Sequence, residues 1–158
     1  MEMIGFEAHD HAACRSGGLA AAERYCEANG LRLTPIRRRV LELLLESHKA
    51  LGAYDLLDRI RDEGLGSQPP VIYRALDFLT QHGFAHRLER LNAFIGCAHP
   101  DGDAHRPAFL ICRDCKLVAE AAAPRHAALT ALADQTGFAI ERVVLEAEGL
   151  CPACQVAA

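Results

Sequence analysis

Ile36, Val40, Leu43 and Leu44 recur at the spacing of one helical face, with Arg37, Arg38 and Glu42 on the opposite side. Thr34 followed by Pro35 supplies an N-cap and a first-turn proline, so the helix starts there and runs to about Ser47. The same periodicity predicts three more helices. GLAAAERYCEANG (18–30) ends at Asn29-Gly30, and AYDLLDRIRDEG (53–64) buries Leu56, Leu57 and Ile60 and stops at Gly64. VIYRALDFLTQHG (71–83) follows the double proline Pro69-Pro70; it turns Ile72, Ala75, Leu76 and Leu79 inward and leaves Tyr73, Arg74 and Asp77 outside. FAHRLER and NAFIGC, on either side of a turn at Leu91-Asn92, read as a β-hairpin. Short helices followed by such a hairpin make a winged helix-turn-helix.

The pattern then changes. AFLICRDC and KLVAEA predict two short strands joined by a knuckle, PRHAALTALADQTG (124–137) an amphipathic helix bounded by Pro124 and Gly137, and FAIERVVLEAEG (138–149) an alternating strand. The fold class expected is therefore α+β: an N-terminal winged helix and a small C-terminal α/β unit with a four-cysteine zinc site. The expected divisions are a flexible N-terminal extension over 1–17, the winged-helix DNA-binding unit over 18–97, a hinge over 98–106, and the zinc-binding unit over 107–158.

Composition narrows the class without changing this picture. With 51% hydrophobic and 24% charged residues the chain reads as a soluble globular protein. It lacks an apolar run of about 18 residues, which predicts no transmembrane helix. MEMIGFEAHDHAAC has neither the basic nor the apolar region of a signal peptide, so a cytoplasmic location is expected. A net charge of −4 argues against a general nucleic-acid coat, but RLTPIRRR (32–39) supplies a local basic face.

Seven cysteines in a reducing compartment read as metal ligands before disulfides. Cys112/Cys115 and Cys151/Cys154 are each spaced C-x-x-C, and two such knuckles supply four thiolates to a tetrahedral zinc with no open position for water. That is a structural site; a redox dithiol or two unrelated turns is the alternative. Cys97 stands apart. A hairpin brings His86 on its first strand near Cys97 at the end of its second, while His105 lies in the hinge and Glu120 ends the strand after the first knuckle. One thiolate and one carboxylate would neutralise a divalent cation, and a soft sulfur with two imidazoles suits zinc better than ferrous or manganous ion. A buried, apolar Cys97 and a solvated His86 are the plainer alternatives. His99 is a reserve ligand.

The third signal is nucleic-acid binding. Tyr73 and Arg74 give the fourth helix a face able to reach base edges and phosphates, while Arg37, Arg38 and Tyr54 could grip phosphates, although arginines on amphipathic helices are often only solvated surface. His9, His11 and Cys14 read as part of a flexible tail, with metal binding the alternative, Cys26 as core, and His48, His82 and His126 as surface residues. The sequence holds no G-x-S-x-G, P-loop or H-E-x-x-H motif, so no enzyme activity or small-molecule substrate is expected.

RLTPIRRRVLELL, AYDLLDRI, PPVIYRALDFLTQHGFAHRLE, FLICRDCKLV and GLCPAC, in this order, resemble the ferric-uptake-regulator family over about residues 19–154. AYDLL, YRALDFL, the lone Cys97 and the terminal G-L-C-x-A-C point to its zinc-uptake branch. The resemblance implies a homodimeric repressor of zinc-uptake genes that binds double-stranded palindromic operator DNA. It also implies two zinc ions per subunit: a structural one at the paired cysteines and a regulatory one at His86, Cys97, His105 and Glu120. The family's recognition helix falls on 69–82, with Tyr73 and Arg74 at DNA-contacting positions. Val71 replaces the family's usual threonine after the prolines and Ile36 its usual glutamine, and the extension carrying His9, His11 and Cys14 has no counterpart. An iron or peroxide sensor of the same family is the nearest alternative; a zinc-ribbon module that docks a protein is the alternative from another class.

Overall fold

The structure, a computed structural model, describes residues 5–7, 10–65, 68–99 and 106–157. Asp10 opens the first helix, α1 (His11–Ala28), by accepting a hydrogen bond from the Ala12 amide at 2.8 Å. The helix thus begins inside the stretch expected to be a loose extension. Apolar periodicity could not reveal its first turns, because α1 buries only Gly18, Leu19, Ala21, Ala22 and Cys26. The aspartate cap was the available signal.

The next three helices follow from local chemistry. In α2 (Pro35–Leu45), the Thr34 hydroxyl accepts from the Arg37 amide at 3.4 Å. In α3 (Ala53–Asp62), the Asp55 carboxylate reaches back to the Gly52 amide at 3.0 Å. In α4 (Pro69–Gln81), two prolines fill the first positions, where no amide donor is needed, and Gly83 beyond its end takes φ +77°. Their inner faces make one core in which Val40, Leu41, Leu44, Leu56, Leu57, Ile60, Ile72, Leu76 and Leu79 are at most 1% exposed. A packed methylene there has no water to return to, so Leu76→Ala is expected to cost about 2–5 kcal/mol. Urea unfolding followed by the helical signal checks this.

The hairpin pairs β1 (Ala85–Leu88) with β2 (Ala93–Gly96), antiparallel, in the register His86↔Ile95. Its turn spans 89–92, with Asn92 left-handed at φ 46°. Beyond it β3 (Pro107–Cys112) pairs antiparallel with β4 (Val118–Ala122) and parallel with β5 (Glu146–Gly149), giving the order β4-β3-β5. Between them runs α5 (Ala127–Thr136), closed by Gly137 at φ 69°; α6 (Pro152–Val156) follows β5. The alternation over 138–149 overstates the strand, since only its last four residues join the sheet. Residues 138–145 have no ladder partner among the described residues, and Phe138, Ile140 and Val144 are 68%, 37% and 46% exposed.

The hairpin packs on the sheet. Leu88 and Ile95 meet Phe109, Ile111 and Val118 in a second apolar cluster, with Ala50 and Leu91 at its edge. The α2–α3 connector clips both sides: Leu51 exchanges two 2.8 Å hydrogen bonds with Phe94, and the Val118 amide donates to the His48 carbonyl at 2.8 Å. Among the described residues no helix is long and apolar enough to cross a membrane.

Candidate metal centres and nucleic-acid face

Cys112 ends β3 and Cys115 follows in a tight turn, where Lys116 adopts φ 64° and its amide returns to the Cys112 carbonyl at 3.1 Å. The parallel register Cys112↔Gly149 then delivers Cys151, the N-cap of α6, and Cys154 within it, to the same place. All four sulfurs lie within 4.8 Å of one another, and Cys115 Sγ and Cys151 Sγ are 3.7 Å apart. A tetrahedral zinc with bonds of about 2.3 Å separates its sulfurs by roughly 3.8 Å, so the donor set fits that ion. The backbone prepares one thiolate: the amides of Cys151 and Cys115 pointing at Cys112 Sγ hold its pKa down to about 6. Hydrogen bonding to Cys151 and burial push Cys154 up to about 12. All described cysteines are reduced.

The second cluster joins the two halves of the chain. His86 comes from β1, Cys97 from the residue after β2, and Glu120 from β4; one ligand atom of each lies within 4.8 Å of the others. Pairing across the hairpin continues one step past β2, with the Cys97 amide donating to the Phe84 carbonyl at 2.9 Å, and this sets the sulfur beside the imidazole. His86 Nε2 stands 3.3 Å from Glu120 Oε1, and Cys97 Sγ 3.8 Å from the same oxygen. Nitrogen and oxygen donors about 2.0–2.1 Å from a tetrahedral zinc would be roughly 3.3 Å apart, so this set fits as well. Cys97 and Glu120 are 2% and 3% exposed, an expensive place for a carboxylate beside a thiol. Burial and then the Glu120 charge push the Cys97 thiol up to about 12, so a cation taken up here displaces a proton.

His99, the reserve ligand, stands at the rim: its amide donates to Cys97 Sγ at 3.4 Å and its Nδ1 is 3.9 Å from Glu120 Oε1. The expectation for His105 lies outside the described residues, as do His9 and most of the expected hinge.

On the helical side Tyr54 is 64% and Tyr73 45% exposed, and Arg74 is exposed beside them. Arg38 faces outward, as periodicity suggested, whereas Arg37 is half-buried. The Arg37 guanidinium lies 3.8 Å above the Phe78 ring and donates to the Arg32 carbonyl at 2.6 Å. Arg38 pairs with Glu42 at 3.2 Å and with Glu23. His82 is no plain surface residue either: it is half-buried, its ring centroid 4.7 Å from that of Phe78 and 5.7 Å from that of Tyr25. Cys26 is core, as expected, with its thiol raised by burial. The early start of α1 brings the His11 ring to 5.1 Å from that of His48.

A winged helix packed on a mixed sheet across a His–Cys–Glu cluster with a buried cysteine and glutamate, with a closed set of four thiolates behind it, defines a metal-binding winged-helix protein. Residues 28–148 match the model of the Ferric uptake regulator family, and the chain belongs to that family. It is 42% identical over 137 residues to the zinc uptake regulation protein of Escherichia coli (strain K12), an alignment covering 86% of this chain and 80% of that one. The solved zinc uptake regulator complexed with zinc and DNA superposes with a TM-score of 0.84 at 40% identity, over 90% of this chain and 96% of that one. Holo XcZur, 41% identical over 91% and 99% of the two chains, superposes at 0.75. The same protein in its apo form, matched over 90% and 98%, reaches only 0.52. With sequence and coverage nearly equal, this chain superposes better on the holo form than on the apo form.

Proposed function

We propose that this chain is a zinc-responsive transcriptional repressor that, as a zinc-loaded homodimer, binds palindromic operator DNA and represses zinc-uptake genes. One observation carries the reading: His86, Cys97 and Glu120 converge from the wing and from the sheet, so a single cation there bridges the two units. Similarity to the E. coli zinc uptake regulation protein and to the holo rather than the apo form of XcZur supports it.

In this reading Cys112, Cys115, Cys151 and Cys154 hold a structural zinc, and His86, Cys97 and Glu120, joined by His105, hold a regulatory one, giving two per subunit. When bound, the regulatory ion supplies coordination bonds between the halves and offsets the charges of the Cys97 thiolate and Glu120 carboxylate. The chain's own residues do the rest. His86 and Cys97 carry the wing's position, and Glu120 carries that of β4. A ligand biases such an equilibrium only by its preference for one arrangement, and moving it from 1:99 to 99:1 takes roughly 5.5 kcal/mol. A multidentate zinc site is of sufficient strength.

The winged unit, 18–97, meets DNA through Tyr73 and Arg74 on α4, with Tyr54, Arg37 and Arg38 toward phosphates; the unit from 107 onward makes the dimer. Leu129, Leu132, Phe138, Ile140 and Val144, all 37% exposed or more, form the apolar face offered to the second copy. Two recognition helices then meet major-groove faces about one helical turn apart. In this reading the protein acts in the cytoplasm and has no catalytic role.

Selection from a random double-stranded DNA library at low salt, with zinc per chain measured in parallel, tests the proposal. It should recover a palindrome with zinc and nothing with a chelator. Retention with ferrous ion alone would transfer the chain to iron sensing, and failure to hold any DNA with zinc bound would leave only a protein-docking role. Arg74→Ala should weaken binding of the selected site about tenfold without altering zinc content, in line with the 1–3 kcal/mol of a lost base contact. Equal affinity would clear Arg74 of a contact role.

A further inference from the structure

The wing turn does not hang free. Its two leading amides, those of Glu89 and Arg90, donate to the two oxygens of the Glu146 carboxylate at 2.6 and 2.9 Å. The Arg90 guanidinium makes a paired contact with Glu148, both bonds 3.0 Å, and Arg142 donates to Glu89. Glu146 and Glu148 stand two apart on β5, hence on one face of that strand. Parallel pairing with β3 sets their register at Phe109↔Glu146 and Ile111↔Glu148. On the other side β5 runs within two residues of Cys151, a member of the four-sulfur cluster. The Arg90 contact holds Glu148 below the usual carboxylate range. Bidentate guanidinium–carboxylate pairs and carboxylates seated on two backbone amides are the strong, orientation-specific forms of such contacts.

We propose that β5 and the wing turn form a second latch between the winged helix and the sheet, with no metal of its own, in which Glu146 grips the turn's amides and Glu148 grips Arg90. The four-cysteine cluster acts through it, because it anchors the strand that carries both carboxylates. The wing arginine therefore serves closure rather than a phosphate. The latch biases the chain toward the arrangement in which the regulatory ligands meet, so its strength sets how much free zinc is needed for DNA binding. Arg90, Glu146 and Glu148 are positioning residues. This consequence rests on the repressor reading, whereas the latch itself does not.

Charge exchange separates the latch from a DNA contact. Arg90→Glu and Glu148→Arg, each placing like charges face to face, should each raise the free zinc for half-maximal operator retardation about tenfold, with zinc content unchanged. The double exchange should return it to within about twofold of the parent. A phosphate-contacting Arg90 would not be rescued by Glu148→Arg, and additive losses in the double variant would overturn the proposal. A readout without DNA stands beside this one: hydrogen exchange at the amides of residues 89 and 90 in the zinc-loaded full chain. Glu146→Ala should speed it about tenfold or more; unchanged protection would overturn the latch even where the repressor reading holds. Faster exchange with no zinc-dependent DNA binding in the parent would sustain the latch and sink the repressor reading.

Discussion

Cys97→Ser is expected to give a folded chain that keeps zinc at its four-cysteine cluster and no longer binds operator DNA at the zinc levels that suffice for the parent. The fold survives because serine is nearly the same size and Cys97 lies just past the end of β2, outside the helical core. The response is lost because the thiolate is the soft donor of the set and the one that the wing strand delivers against Glu120, 3.8 Å away. A serine hydroxyl stays protonated at neutral pH and cannot replace a thiolate in offsetting a dication. Losing an outer-shell partner of a metal site typically costs 10–100-fold in affinity. Loss of a direct ligand should exceed that, so the zinc needed for half-maximal DNA retardation rises by more than about a hundredfold. Zinc per chain, measured alongside retardation of the selected operator, checks both halves of the statement. A variant with the parent's zinc response would remove Cys97 from the mechanism.

Cys112→Ser acts on the other centre and on stability. The part of the chain beyond residue 107 has little core of its own: α5 buries only Ala133, α6 buries nothing, and β5 has no fully buried residue. In the proposed reading, four thiolates on one zinc reinforce the β3–β5 ladder and clip α6 to the end of β3. Structural zinc contributes roughly 10–16 kcal/mol in zinc-finger peptides, as much as the whole stability of a typical domain. Breaking the set is therefore expected to unfold the sheet half and abolish the dimer, while α1–α4 remain folded on their own apolar cluster. Thermal melting by circular dichroism should show a single transition of reduced amplitude, and sedimentation should show monomer. A dimer with the parent's melting curve would contradict the structural assignment.

The helical half was legible before any coordinates because its signals are local. Thr34-Pro35, Pro69-Pro70 and the inward stripe Ile72, Ala75, Leu76 and Leu79 act over one or two helical turns, and each appears as read. The paired cysteines were equally plain, since a C-x-x-C knuckle makes its own geometry. Two elements were misjudged where periodicity says little. The first turns of α1 carry no buried stripe, and residues 138–145 alternate like a strand yet join no ladder among the described residues.

What the amino-acid order determined by itself is thus the set of helices, the hairpin, and a four-thiolate donor set of the right chemistry. Tertiary structure brought Glu120, 23 residues beyond Cys97, against the His86 and Cys97 that the hairpin pairs, and laid the Arg37 guanidinium over the Phe78 ring. It also decided that the wing turn rests on Glu146 and Glu148. Bonds and caps between neighbouring residues are dictated by short-range geometry, whereas these meetings depend on how the hairpin seats on the sheet. That seating is set by the burial of Leu88, Ile95, Phe109, Ile111 and Val118 together, residues whose spacing in the chain carries no sign of their contact.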